Sequence, residues 1–220
     1  MTPSGGVGTA GRSDSGRVMS SSSRCTVKPA RAASVVAGSL TRCTHRYSRP
    51  PPEGVTLRTY RPGDDAELLR VNNAAFGDHP EQGGWDEAAL AERRGLAWFS
   101  PEGIILAWRG DRLLGFHWTK WHGHDPDEVP IAAHEPVGEV YVLAVDPGAQ
   151  RLGLGRTLLA AGLAHLHDSG CRQAILYVDA AAEGPVALYR SAGFSTAYKE
   201  VCYQQDVAAA AVTEDLLRPA

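Results

Sequence analysis

Residues Val140 to Arg156 read VYVLAVDPGAQRLGLGR. The first half of this stretch alternates β-branched and apolar residues (Val140, Val142, Val145), which predicts a buried strand. Asp146-Pro147-Gly148 stops that strand. Gln150 to Arg156 then opens an apolar-periodic segment, Leu158, Leu159, Ala160, Leu163 and Leu166, which predicts a helix. The helix begins with two glycines and two arginines. Amides at a helix start have no intrahelical partner and bind anions, and glycine lets a phosphate approach the backbone. The expected ligand is a diphosphate carried by a nucleotide-like cofactor.

Three phosphate motifs compete for this stretch. A P-loop requires Gly-Lys-Ser/Thr, whereas this chain has Gly155-Arg156-Thr157. A dinucleotide fingerprint requires a third glycine where this chain has Leu158. Gln150-x-x-Gly153-x-Gly155, after a strand ending Val145-Asp146-Pro147, resembles the pyrophosphate arm of the GNAT N-acetyltransferase superfamily. The resemblance implies acetyl-CoA as co-substrate and no metal. It also implies a cofactor site of Gln150, Arg151, Leu152, Gly153, Leu154, Gly155 and Arg156, with backbone groups of Leu143, Ala144 and Val145 along the pantetheine arm.

Composition bounds the alternatives. The chain has 220 residues and is 43% hydrophobic, enough for one ordinary domain with an appendage. No apolar run reaches the roughly 18 residues a membrane span needs. Residues 1–52 carry a net charge of +7 and the remainder −10, so the main domain is a poor candidate for nucleic-acid binding. The four cysteines form no C-x-x-C pair, which argues against a disulfide framework or a zinc site and leaves a reducing cytoplasm as the default.

Residues 1–53 are rich in Ser, Arg, Gly and Pro and show no sustained periodicity, so a disordered tail is expected. An organellar transit peptide and a mis-assigned start are the other readings of that composition. Residues 54–206 are expected to form one domain, followed by a C-terminal tail at 207–220. Within the domain, 55–60 reads as a strand. Asp64 and Glu67 make a capping box for a helix over 66–76. A second helix covers 86–95, and strands at 103–109 and 112–120 join at Gly110-Asp111. A polar loop from Trp121 to Pro136 leads to the central strand. The helix at 153–168, a strand at 173–178, a helix at 185–192 and a strand at 195–204 follow. The fold class is α/β (α+β), a single GNAT-type acyltransferase domain with a mixed, mostly antiparallel sheet flanked by helices.

Alternation along the central strand puts Glu139, Tyr141, Leu143 and Val145 on one face, and Val140, Val142 and Ala144 on the other. A carboxylate among apolar neighbours is costly to bury without a role. Glu139 is either a solvated strand-end residue or a general base that takes the proton of an amine. Leu188-Tyr189, three residues, then Gly193-Phe194 forms a second GNAT-like signature. The resemblance makes Tyr189 the general acid, and a packed core aromatic is the other reading. Backbone N–H groups near Leu143 to Val145 would stabilise the oxyanion of acyl transfer.

A narrower resemblance covers about residues 55–205. The segments His79-Pro80-Glu81-Gln82-Gly83-Gly84-Trp85, Ala97-Trp98-Phe99, Leu114 to Lys120 and Gly138 to Leu143 resemble the catalytic half of the mycothiol synthase family. That implies acetylation of the cysteinyl amine of cysteinyl-glucosaminyl-inositol, a small-molecule acceptor. It also implies Glu81, Lys120, Glu139 and Tyr177 as acceptor contacts; Glu81 and Lys120 also read as ordinary surface charges. The chain departs from the family in having Ala182 where Asn is usual, and one domain instead of two in tandem. Another amine, or an inactive acyl-CoA-binding remnant, therefore stays open. His122-x-His124-Asp125 with His134 reads as a solvated loop rather than a metal site. Trp118 and Trp121 read as sugar-cleft or packing residues, and Cys171 as structural.

Overall fold

A computed structural model describes residues 28–40, 49–77, 79, 82–123 and 135–204. Its elements are β1 (Lys28–Ser39), β2 (Thr56–Thr59), α1 (Asp65–Ala75), α2 (Glu87–Arg94), β3 (Ile104–Arg109) and β4 (Arg112–His122). They continue with β5 (Val137–Val145), α3 (Leu154–Asp168), β6 (Gln173–Asp179), α4 (Glu183–Ser191) and β7 (Ser195–Gln204). The strands form one sheet in the order β2-β3-β4-β5-β6-β1-β7. Neighbours from β2 to β5 pair antiparallel, as do β6 and β1, while β5 and β6 run parallel. This is the expected mixed sheet.

Helices cover both faces because each presents an apolar stripe. On one face Leu68 and Val71 of α1 and Leu90 of α2 pack on Leu106, Phe116, Trp118 and Val142. On the other, Leu159, Leu163 and Leu166 of α3 and Tyr189 of α4 pack on Val140, Leu176 and Phe194. A third cluster joins Leu154 and Leu158 to Ile105, Ala107 and Leu114. Each fully buried leucine contributes about 1.5–3 kcal/mol.

The structure departs from the sequence reading in three places. The expected structureless segment up to residue 53 contains β1, which pairs with β6 from Ala33↔Asp179 to Ser39↔Gln173. Its inward positions are Val36, Gly38 and Leu40, so the period-2 signal is broken by a glycine. The glycine relieves crowding: a Cβ on Gly38 would stand 3.1 Å from the Phe194 ring, which would have to give by a few tenths of an ångström. The compact unit accordingly spans Pro29–Tyr203 rather than 54–206. Residues 1–27 and the expected tail at 207–220 lie outside the described residues.

The capping box at α1 does not form. Asp64 occupies the N-cap, but its carboxylate accepts two hydrogen bonds from Arg58 at 2.7 Å. Glu67 instead pairs with Arg70 at 2.7 Å and accepts from the Leu113 amide at 3.0 Å. A bidentate arginine contact outcompetes a local cap.

The third departure is a bulge. The β4–β5 register runs Trp118↔Val142 and then Thr119↔Val140, leaving Tyr141 as the extra residue. A bulge shifts the side-chain alternation by one.

Candidate active site

The bulge at Tyr141 divides β5 into two phases. Val140 faces α3, while Val142 and Ala144 face α1 and α2. Leu143 and Val145 turn back to the α3 side. Glu139 and Tyr141 therefore share a face without Leu143 and Val145, which corrects the simple alternation.

On that face Glu139 sits opposite Lys120 in the β4–β5 register. The Glu139 side chain is only 9% exposed, and its Oε2 lies 2.5 Å from His122 Nε2 and 3.8 Å from Lys120 Nζ. Lys120 Nζ stands 4.9 Å from the centroid of the Trp98 ring and 5.9 Å from that of Tyr141. Trp98, Trp118 and Tyr141 pack edge-on or tilted against one another, with centroids 4.9 to 6.0 Å apart. The result is a buried carboxylate between two basic side chains, on an aromatic wall that restrains one of them.

His122 is expected in a solvated loop, since the strand reads as ending at Lys120, but it lies on β4, which runs to His122. The signal was present: Trp118, Lys120 and His122 recur with period 2. His124, Asp125 and His134 lie outside the described residues. Among the described residues, no cluster of three His, Cys, Asp or Glu side chains is placed to hold a metal.

Glu139 also marks where the sheet parts. The parallel ladder between β5 and β6 runs from Val137↔Gln173 to Glu139↔Ile175 and shares no further rung. Beyond it, the β6-facing edge of β5 offers the backbone groups of Val140 to Val145 to a strand-like ligand. The expected contacts Leu143, Ala144 and Val145 lie on this segment.

The gap leads to the start of α3. Asp146 Oδ1 accepts from the Gly148 amide at 2.8 Å and fixes the turn that leaves β5. Arg151 (φ 66°) and Gly153 (φ 81°) then adopt left-handed conformations, and Gly153 is the N-cap of α3. Backbone turned this way gathers successive N–H groups into a concave cradle. Helix geometry leaves the Leu154 and Gly155 amides without intrahelical partners. Gln150, Arg151, Leu152 and Arg156 are exposed around the cradle, whereas Leu154 is buried as an anchor. Two cations, free amides and small residues are the donor set a diphosphate requires. The residues present therefore fit the diphosphate of an acyl-CoA.

Tyr189 lies on α4 in the α3-side core, its ring 6.1 Å from Phe194 with an edge-to-face tilt. Burial pushes its phenol up to about 12, so it is a neutral O–H donor at neutral pH. No hydrogen bond joins Tyr189 to Glu139, and the two occupy opposite faces of the sheet. Tyr177 lies on β6 and is half exposed. It follows Ile175, the rung partner of Glu139, by one pleat, so it shares the Glu139 face. Glu81 lies outside the described residues. Ala182 is the N-cap of α4 and supplies no side-chain cap. Cys171 is buried, and burial raises its thiol, as befits a structural residue.

Residues 68–194 match the acetyltransferase (GNAT) family. The chain belongs to that family. GNAT acetyltransferases use acetyl-CoA. A mycothiol acetyltransferase of Nocardia farcinica is 52% identical over 156 residues, covering 69% of this chain and 49% of that protein. Another, from Thermomonospora curvata, is 50% identical over 154 residues, covering 70% of this chain and 48% of that protein. The chain thus spans about half the length of the curated relatives it matches. Among solved structures, a GCN5-related N-acetyltransferase from Sphaerobacter thermophilus has a TM-score of 0.62 at 23% identity. That alignment covers 80% of this chain and 52% of that one, and the likeness bears on the fold. Among the described residues, no helix is long and apolar enough to cross a membrane.

Proposed function

We propose that this chain is an acetyl-CoA-dependent N-acetyltransferase acting on the cysteinyl amine of cysteinyl-glucosaminyl-inositol. The observation that carries the reading is Glu139: a buried carboxylate with basic neighbours, at the rung where β5 and β6 separate. The two relatives named mycothiol acetyltransferase, each at least 50% identical, support the acceptor.

Acetyl-CoA supplies the activated acetyl thioester. The Gln150–Arg156 segment receives its diphosphate, and the free edge of β5 over Leu143 to Val145 receives the amide-rich arm. Glu139 accepts the proton that the acceptor ammonium must lose before its nitrogen becomes nucleophilic; an α-amine has a pKa near 8, so a carboxylate base suffices. Tyr189 retains its proton at neutral pH and is the donor to the departing thiolate. Lys120 and Tyr177 flank Glu139 on the acceptor side, and Glu81 completes the acceptor contacts. The compartment is the cytoplasm, where the thiol of such an acceptor stays reduced.

The test is to incubate the protein with acetyl-CoA and a panel of amines that includes cysteinyl-glucosaminyl-inositol, and to read the products by mass spectrometry. Acetylation of the cysteinyl amine above all others supports the reading. Preference for another amine replaces the acceptor, and CoA binding with no product on any amine overturns the activity.

A further inference from the structure

The proposed chemistry gives His122 no task, yet it makes the closest polar contact of the candidate base. Nε2 of His122 and Oε2 of Glu139 are 2.5 Å apart. Two lone pairs cannot face each other at that separation, so a proton lies between them; with the carboxylate ionised, as a general base requires, Nε2–H is the donor. Lys120 does not compete for this role. Its Nζ is 3.8 Å away, beyond hydrogen-bonding reach, and is held over Trp98. Among the described residues, His122 is therefore the group that orients the Glu139 carboxylate, and none donates to Oε1. The imidazole is also the more exposed partner, at 36% against 9% for Glu139.

We propose that His122 is a positioning residue for the general base: it pins Oε2 and leaves Oε1 as the oxygen that takes the amine proton. This rests on the reading of Glu139 as the base. Without His122 the flexible carboxylate is free to swing onto Lys120, and a closed ion pair makes it a poorer proton acceptor. The cost falls on the chemical step and not on cofactor binding.

Five proteins test it: wild type, His122→Ala, His122→Gln, Glu139→Gln and the double variant His122→Ala/Glu139→Gln. kcat and KM are measured for acetyl-CoA and for the amine, with thermal melting as a control of folding. His122→Ala is expected to lower kcat roughly tenfold or more, a part of the 10²–10⁴-fold that a positioned base contributes. KM for acetyl-CoA stays unchanged. His122→Gln, whose amide N–H reaches the same place, recovers most of the rate. The double variant is no slower than Glu139→Gln, because His122 acts only through Glu139. Wild-type kcat in His122→Ala, no rescue by glutamine, or losses that add in the double variant would each overturn the inference. Wild-type protein that acetylates no amine fails at the first control and overturns the proposed function, and the inference with it.

Discussion

Arg70 Nη1 lies 2.7 Å from Asp146 Oδ2, joining α1 to the end of β5 across 76 positions of sequence. The same guanidinium holds Glu67 and donates to the Leu113 carbonyl at 2.7 Å. Arg112 adds a second contact to Asp146 at 3.1 Å. Asp146 in turn caps the turn that launches the anion cradle. One carboxylate therefore ties α1 and the start of β4 to the loop expected to receive the diphosphate.

That arrangement has a stability signature. The arginines and the Gly148 amide pull the Asp146 carboxyl down to about 2 from an ordinary 3.8. A depressed carboxyl stabilises the fold fully above pH 3.8 and loses that contribution as the pH falls through about 2. Asp146→Asn is expected to cost about 2 kcal/mol at pH 7 and to flatten the melting curve between those two values. Thermal melting from pH 7 to pH 2 checks both. An unchanged melting temperature at pH 7 contradicts the assignment.

A different group governs the window above. His117 is fully buried between β4 and α3, with Nδ1–H donating to the Leu158 carbonyl at 2.9 Å. Burial holds its imidazole down at about 4 against an ordinary 6.5. The unfolded chain therefore binds the extra proton, and stability is lost as the pH falls from 6.5 towards 4. Gly162 makes room for the ring: a Cβ there would lie 2.0 Å from Nδ1. Gly162→Ala gains about 1 kcal/mol of helix propensity and loses more to overpacking, of order 1–3 kcal/mol or above. A lower melting temperature is expected, and a higher one would show that the helix and strand separate freely.

Gly155 isolates binding from folding. A Cβ there meets Leu188 at 3.5 Å, an ordinary contact. Gly155→Ala should leave the melting temperature equal or raised, because alanine favours the helix by about 1 kcal/mol. It should weaken CoA binding about tenfold, since the methyl group obstructs the phosphate approach to the amides. Calorimetric titration with CoA measures this. Unchanged affinity would move the diphosphate away from the α3 start.

Much of this architecture was legible in the chain because its elements carry local signals. The α2 helix has Asp86 accepting from Ala89 at its N-cap and Gly95 at its end. The β3–β4 turn has Gly110 at φ 60°. The cradle followed from Gln150, Gly153 and Gly155. What escaped were non-local facts. β1 is carried by ladder bonds to β6 and by one glycine that admits Phe194, neither of which has a periodic signature. The Tyr141 bulge exists only against β4, so pattern reading put Leu143 with Glu139. The His122–Glu139 contact depends on the same pairing.

Ala182 offers a gain-of-stability test. As an N-cap without a side-chain acceptor it leaves α4 uncapped. Ala182→Asn is expected to add about 1 kcal/mol, read as a raised melting temperature. No change would mean that the α4 amides are satisfied by another group.

The most direct measurement is the rate of CoA thiol release from acetyl-CoA in the presence of cysteinyl-glucosaminyl-inositol, for wild type and Glu139→Gln side by side. Amine-dependent turnover in the wild type, falling by roughly 10²-fold or more in Glu139→Gln with acetyl-CoA binding intact, is the predicted result. Equal rates in the two proteins would remove Glu139 from the chemistry, and absence of amine-dependent release in the wild type would contradict acetyl transfer to this acceptor.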